Sequence, residues 1–380
     1  MGKDISSNKE KTIIYSFYAI RFLFFAFIFI HHTAKLVRIP IIDQSGLAVS
    51  GFLIMSGFLC GYLYINKYNK IKIKEMFEFT FKRFKKFYPL HVLTLILSIG
   101  LFGYFNISTM PALFDFIKKF LTNLFLVQSW IHNMDYYYSF NGVVWFLSSY
   151  LFLTFLTIPI LRLVTYINKK KHSNIYCILL IIVMFIMHML WSYFIVKNNH
   201  DQRYWLYVFP PSRIFEYVIG ILLGNLVVKL NHNYKNEKSI FTILEVLSII
   251  IVCAFCFLVS DSSFLTIWSS KWVIPLIFFI GIFGFQKGYI SKFISLKPFV
   301  TLGSASMVMF IIHQVVVTYV LFINRNPAHK RLMALYMFIV TIIISLLIER
   351  LRNNKNHQNW WLFILHFYTL IGWMIYHFLI

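Results

Sequence analysis

IIYSFYAIRFLFFAFIFIHH, residues 13–32, is an apolar run in which the only Asp, Glu, Lys or Arg is Arg21. An α-helix of about twenty apolar residues is long enough to cross the hydrocarbon core of a bilayer. The run lacks a small-residue cleavage site, so we interpret it as a retained transmembrane helix and not as a removed signal peptide. Because the rest of the chain repeats this pattern, the stretch decides the predicted fold.

Apolar runs of this kind recur along the whole chain. Of its 380 residues, 59% are apolar and 13% are charged, whereas soluble domains are about half apolar and about a quarter charged. We therefore predict an all-α, polytopic transmembrane helix bundle of ten to eleven helices. The other runs of spanning length are 46–65, 87–105, 143–166, 175–196, 212–230, 240–260, 272–286, 300–323, 332–348 and 360–380.

These runs divide the chain into three parts. Residues 1–12 form a cytoplasmic N-terminal tail, residues 13–348 form a transmembrane domain of ten helices, and residues 349–380 form a cytoplasmic loop and an additional C-terminal transmembrane helix. The stretch 112–130 is apolar but contains three charged residues. We predict that it forms an interfacial or re-entrant helix and not a span.

Positive charge is distributed unevenly between alternate loops. With a cytoplasmic N-terminus, 24 of the 36 Lys and Arg fall in cytoplasmic segments and 10 in external ones. The positive-inside rule therefore predicts this orientation. It also accounts for the net charge of +23, so we expect no nucleic-acid partner. The composition is typical of an A/T-rich bacterial genome, and we expect a multi-pass protein of the bacterial cytoplasmic membrane.

Two ionisable side chains of the first run share one helix face. Arg21 and His32 are eleven positions apart, which is about 20° of rotation and about 16 Å of rise on an α-helix. Charged groups within a span are costly and usually mark a pathway or a site. We expect both side chains to line one passage, with His32 as a general base and Arg21 holding an acyl donor or an oxyanion. His31 points away and is the reserve candidate.

Basic residues precede the third run in FKRFKKFYPLH, residues 81–91. Arg83, with Lys82 and Lys86, is placed to collect the phosphates of an acyl carrier. The positive-inside rule explains the same charges without any ligand, so both interpretations stand. In the second run, Ser56 is a candidate hydrogen-bond donor to a ligand, although Gly57 and its neighbours favour helix packing.

Other polar residues of the runs are candidates for a supporting role. Arg213 and Glu216 are three apart and can neutralise each other on one helix face. We expect the pair also to shape a ligand cavity, while a purely structural ion pair remains the alternative. His313 is expected near the site, and Trp145 is interpreted as an interfacial anchor beside the cavity. We expect no metal site.

Taken together, the runs resemble the membrane-bound acyltransferase 3 family, many of whose members acylate bacterial surface carbohydrates. Each motif is short, but their order across residues 13–323 is specific. Many members carry a Glu soon after the fourth-helix Ser, where this chain has Ser149 and Tyr150, so the resemblance implies no catalytic acid there. The matching residues are Arg21 and His32, Ser56-Gly57-Phe58, Lys82 to Pro89, Trp145 to Ser148, Arg213 with Glu216 and Gly220, and Gly303 with Ser306, His313 and Gln314.

The resemblance implies an acyltransferase that moves an acyl group, commonly acetyl, from acyl-CoA to a sugar hydroxyl. We expect acetyl-CoA or another acyl-CoA as donor substrate, no bound cofactor, and a cell-surface polysaccharide or lipid-linked sugar as acceptor. The alternative is a transporter or flippase for such a sugar. That alternative predicts internal inverted repeats and broken helices in matching halves of the chain, and the sequence shows neither. A structural subunit of an export complex gives no reason for Arg21 and His32 to share a face.

Overall fold

The computed structural model describes residues 13–37, 45–68, 70–100, 109–231, 237–258, 268–323 and 329–353, and no strand occurs in these ranges. The helices are α1 Ser16–Val37, α2 Ser45–Tyr64, α3 Ile73–Phe84, α4 Tyr88–Ile99, α5 Met110–Leu124, α6 Met134–Tyr137, α7 Trp145–Phe155, α8 Thr157–Asn168, α9 Ser173–Lys197, α10 Ile214–Leu230, α11 Lys238–Leu258, α12 Val273–Phe285, α13 Tyr289–Ile294, α14 Lys297–Ser304, α15 Ser306–Ile323 and α16 Lys330–Asn353.

The predicted all-α fold is confirmed, but the predicted number of spans is not. Within the described ranges, six helices are long and apolar enough to cross a membrane, and a bent pair makes a seventh. The apolar helices at 88–99 and 270–285 are shorter. The predicted run 360–380 lies outside the described residues.

Two of the predicted runs are broken helices. The run at 143–166 becomes α7 and α8, bent by 45°. Pro159, in the first turn of α8, has no N–H to donate to the last carbonyl of α7, which accounts for the bend. The run at 300–323 becomes α14 and α15, and the break lies beside Gly303, where an added Cβ would overlap the backbone of Tyr18.

Helices α2 and α10 pack backbone against backbone at the centre of the bundle. A Cβ at Gly57 or Gly61 would overlap carbonyl groups of α10, and a Cβ at Gly220 or Gly224 would overlap carbonyl groups of α2. This confirms the predicted packing role of Gly57 and its neighbours, and the glycines of α10 have the same role. Small residues allow such close approach where apolar burial gives no net drive for helices to associate in lipid.

Helix α1 lies beside this pair and contacts α2, α14, α15 and α16. Its inward face is sealed at Phe24, Phe25 and Ile28, which are at most 2% exposed, whereas Leu23 on the opposite face is 44% exposed. The first helix therefore has one face toward the protein and one toward lipid. This arrangement decides where its polar residues point.

Candidate active site

Arg21 and His32 lie on the inward face of α1, the face that packs against the other helices. Arg21, Ile28 and His32 occupy positions i, i+7 and i+11 and fall within about 40° of one another. Ile28 is 2% exposed, yet Arg21 is partly exposed and His32 is exposed. Other helices cover this face at Ile28, and we infer that the accessible surface of both polar side chains opens into spaces inside the bundle.

Arg21 forms what we call the arginine layer together with Arg83 and Tyr150. Arg83 Nη1 donates a hydrogen bond of 3.3 Å to the Tyr150 hydroxyl. The Arg83 guanidinium also lies over the ring of Phe79, 4.5 Å from its centroid. Arg21 is close enough to Arg83 and Tyr150 to interact with them electrostatically. These contacts join helices α1, α3 and α7.

The arginine layer carries two uncompensated positive charges. In the described part of the chain, neither Arg21 nor Arg83 forms an ion pair with a carboxylate. Two like charges held close together in a partly buried space repel each other unless an anion lies between them. Guanidinium groups are well suited to phosphate, because their fork of N–H donors matches its oxygens. The layer is therefore a candidate phosphate site.

The second polar region, the histidine layer, is formed by His32 and His313. Their ring centroids are 5.0 Å apart. His313 is fully buried on α15, and its Nδ1 lies 2.7 Å from the backbone oxygen of Phe310. His31 lies next to His32, with ring centroids 5.2 Å apart, and is exposed. The structure thus brings His32 and His313 together from helices far apart in the sequence.

A layer of phenylalanine rings separates the two polar layers. This aromatic layer consists of Phe24, Phe52, Phe146 and Phe310, one each from α1, α2, α7 and α15. Neighbouring centroids in it are 5.3–6.3 Å apart, within the range of favourable ring contacts. Three of the rings are at most 4% exposed. The bundle is therefore closed between the arginine and histidine layers.

The aromatic layer also connects the two polar layers through ring contacts. Phe310 lies 5.9 Å from His313 on one side, and Phe146 stacks on Tyr150 at 6.1 Å on the other. Sequence reasoning missed the whole layer, although Phe52, Phe146 and Phe310 lie in or next to the motifs already singled out. A single run cannot show which of its many phenylalanines face one another.

Arg213 and Glu216 lie in a separate, sealed cluster. Their side chains are fully buried and 3.0 Å apart, so the predicted ion pair is present. Arg213 also donates to the Ser50 hydroxyl at 3.4 Å and lies under the Tyr207 ring at 5.7 Å. The interpretation of Trp145 as an interfacial anchor is wrong, because Trp145 is 5% exposed and packs on Tyr207 at 4.6 Å.

The remaining candidates divide by the direction in which they point. Arg83 turns inward among aromatic rings, whereas its neighbours Lys82 and Lys86 are exposed. Ser56 is half-buried on α2. Within the described ranges, no group of three His, Cys, Asp or Glu residues is arranged to hold a metal ion.

These features define a multi-pass membrane protein whose interior holds the arginine layer and the histidine layer. A family model described as an acyltransferase domain, that of the acyltransferase 3 family, matches residues 14–350. The chain belongs to this family and is a membrane acyltransferase. The family match gives no support to the transporter alternative. No curated protein and no solved structure matches the chain.

Proposed function

We propose that this membrane acyltransferase moves an acetyl group from acetyl-CoA to a hydroxyl of a cell-surface polysaccharide or lipid-linked sugar. The observation that carries the proposal is the pairing of an uncompensated arginine layer with an accessible imidazole, both on the inward face of α1. Such a transfer requires a site that holds the anionic carrier and a base that accepts the proton of the attacking hydroxyl.

The arginine layer is the proposed site for the phosphates of the donor. Arg83 supplies the fork of N–H groups, and the exposed Lys82 and Lys86 attract the carrier from solution. The pantetheine arm of coenzyme A is about as long as five residues of extended chain, roughly 17 Å. Because Arg21 and His32 are separated by about 16 Å along the helix, a donor anchored at the arginines can present its thioester near His32.

The same separation favours one of the two roles considered for Arg21. An oxyanion formed near His32 would be too far away for Arg21 to stabilise it by a hydrogen bond. Arg21 also interacts electrostatically with Arg83, the other arginine of the layer. Arg21 therefore positions the donor.

The proposed reaction uses His32 as a general base. Its neutral imidazole takes the proton of the sugar hydroxyl as the hydroxyl oxygen attacks the thioester carbonyl. The C–S bond then breaks, the ester forms, and the imidazolium returns the proton to the departing thiolate, which leaves as the thiol of coenzyme A. Each proton and electron pair is accounted for without a metal or redox partner.

The aromatic layer must open for the arm to pass between the layers. In the closed arrangement it keeps water from the thioester, because apolar rings fill the space between the donor phosphates and the base. Opening only when an acyl carrier is bound would limit wasteful hydrolysis of the donor.

The experiment that tests the proposal compares esterified acetyl groups on surface polysaccharide from wild-type cells, deletion cells and cells that carry His32→Ala. We expect loss of the ester in the deletion and in the variant, with the wild type restoring it. Membranes incubated with radiolabelled acetyl-CoA should transfer label only when His32 is present. Unchanged acetylation in the deletion would contradict the proposal for that acceptor.

The acyl group itself is tested with a donor series. Acetyl-CoA, propionyl-CoA and succinyl-CoA are supplied to wild-type membranes, and label transfer is measured for each. We expect acetyl to be transferred fastest, because it is the smallest of the three acyl groups that must pass the aromatic layer. Faster transfer of succinyl would contradict acetyl and indicate that the enzyme transfers a dicarboxylic acyl group.

A further inference from the structure

His313 has a hydrogen-bonding atom that the proposed reaction does not use. The residue is fully buried in the middle of α15. Within the described ranges, its Nε2 has no hydrogen-bond partner. A buried polar atom without a partner costs roughly 1–3 kcal/mol, so Nε2 of His313 is open to a hydrogen bond from a neighbouring donor.

The chemical character of that atom follows from the other ring nitrogen. A neutral imidazole has one N–H donor and one lone-pair acceptor. His313 Nδ1 lies 2.7 Å from the Phe310 carbonyl oxygen, and a carbonyl only accepts. Nδ1 therefore carries the hydrogen, and Nε2 of the neutral ring is an acceptor whose orientation is held by the backbone.

The nearest ring able to donate to this acceptor is His32. Two imidazoles joined by an N–H···N hydrogen bond have ring centres about 5 Å apart, given an N···N distance near 2.9 Å. The centroids of His32 and His313 are 5.0 Å apart with the planes inclined by 56°. The separation of the two rings therefore matches that of a hydrogen-bonded pair of imidazoles. His31 lies about 100° away around the helix.

We propose that His313 is a positioning residue that accepts a hydrogen bond from the ring N–H of His32. The bond fixes the tautomer of His32, so that its remaining lone pair faces the space where the acceptor hydroxyl binds. It also holds the His32 imidazolium that forms when the hydroxyl proton is taken. Hydrogen bonds thus connect the Phe310 carbonyl to His313, His313 to His32, and His32 to the sugar hydroxyl. The inference rests on the proposed function, in which His32 is the base.

This arrangement explains why one histidine is buried and the other accessible. The base must reach the substrate, so His32 is exposed to the interior space. The residue that orients the base needs only to reach the base, and burial of His313 strengthens its hydrogen bonds. A base oriented by a third group is the general arrangement of activated nucleophile sites.

Two substitutions of His313 separate positioning from packing. His313→Leu removes the acceptor, whereas His313→Gln keeps an oxygen able to accept from His32. We expect His313→Leu to lower kcat for acetyl transfer roughly 10²–10⁴-fold, with the KM for acetyl-CoA unchanged. His313→Gln should retain activity to within about tenfold of wild type, because an amide oxygen also accepts an N–H bond.

His91→Leu is the matched control. His91 is also a buried histidine with one ring nitrogen on a backbone carbonyl, that of Asn123 at 2.9 Å, but it packs between α4 and α5. We expect its loss to lower thermal stability and to leave kcat per folded molecule within about threefold of wild type. Equal losses of kcat in His313→Leu and His313→Gln would overturn the positioning role.

A measurement on the unsubstituted protein covers the case in which His313→Leu does not fold. The ring nitrogens of 15N-histidine-labelled protein in detergent are followed by NMR, with His32→Gln and His313→Gln used for assignment. We expect a protonated Nδ1 and a bare Nε2 in His313, and a change in the His313 Nε2 signal when His32 is replaced. An Nε2-protonated His313, or an Nε2 signal indifferent to His32, would overturn the inference.

The spectrum is independent of activity. If the wild type transfers no acetyl group from acetyl-CoA while the two histidines are coupled, the proposed function fails and the hydrogen bond stands. If transfer proceeds and the histidines are not coupled, the positioning role fails alone.

Discussion

The interior of the bundle holds its ionisable groups in two different ways. Arg213 and Glu216 are fully buried, 3.0 Å apart, and supported by neighbouring polar groups. Arg21 and His32 face accessible space, and in the described part of the chain neither has an acidic partner. The charges of the first region neutralise each other without a ligand, and those of the second do not.

The difference shows how to separate structure from function among intramembrane charges. A buried charge is tolerated when a partner and hydrogen bonds compensate its lost hydration. An uncompensated charge is tolerated when it stays solvated or binds an ion. We infer that the Arg213–Glu216 pair supports the helices around the cavity, whereas Arg21 and His32 act on ligands. Each prediction below tests this contrast.

The largest expected effect is on catalysis. His32→Ala should lower kcat for acetyl transfer by about 10²–10⁴-fold, the usual contribution of a general base. Since the side chain is exposed, the thermal stability of the purified protein should fall only by the loss of the hydrogen bond to His313, about 1 kcal/mol. Steady-state transfer from acetyl-CoA and a thermal melt check both parts. Full activity in a correctly inserted variant would remove His32 as the base.

Substitutions in the buried Arg213–Glu216 pair should lower stability and leave catalysis nearly unchanged. Glu216→Leu leaves Arg213 as an unpaired buried charge, and we expect a loss of roughly 3–5 kcal/mol in the free energy of unfolding. Adding Arg213→Met should restore most of it, because the cavity is then apolar. Denaturant unfolding in detergent measures the effect.

The double variant also tests what the pair does for the reaction. Its acetyl transfer per folded molecule should be within about threefold of wild type. A folded double variant without activity would show that Arg213 and Glu216 orient a ligand, and the contrast between the two regions would disappear.

A smaller effect is expected at the donor end. Arg83→Ala should raise the KM for acetyl-CoA by about 10–100-fold, the value of a hydrogen bond to a charged group. Arg83→Lys should recover only part of this, because an ammonium lacks the planar fork. Tyr150→Phe keeps Arg83 and removes only the hydroxyl that Arg83 bonds, so the rise in KM should be smaller than in Arg83→Ala. A kcat effect with an unchanged KM would place Arg83 elsewhere in the reaction.

The smallest effect is expected from the exposed lysines. Lys82→Ala and Lys86→Ala should each raise the KM for acetyl-CoA by no more than about fivefold at low salt, because solvent-exposed charges contribute little to binding. The effect should vanish at 1 M salt, where the Debye length is about 3 Å. An effect of either lysine that persists at high salt would indicate direct contact with the donor.

Several elements could be predicted because they depend on local periodicity. The helical period places Arg21 and His32 on one face of α1, and spacing by three places Arg213 beside Glu216. Spacing by four puts the glycines of α2 and α10 on packing faces. The positions of the breaks were missed, since the effect of Pro159 on the bundle depends on what packs around it.

Which residues meet across helices depended on the tertiary structure. Nothing in the local pattern distinguishes Phe52, Phe146 and Phe310 from the many other phenylalanines. The burial of Trp145 could not be predicted from the sequence either, because an aromatic residue at a helix start is equally typical of a membrane interface.

By itself, the sequence determined that the chain is helical, that it needs lipid, and which polar residues lie on the protein-facing side of a helix. These properties follow from composition and from a period of 3.6 residues, which each segment carries alone. Only the tertiary structure decided that Arg83 joins Arg21, that His313 joins His32, and that phenylalanine rings close the space between them. Those contacts join segments far apart in the chain, and helix packing, not local periodicity, selects which side chains meet.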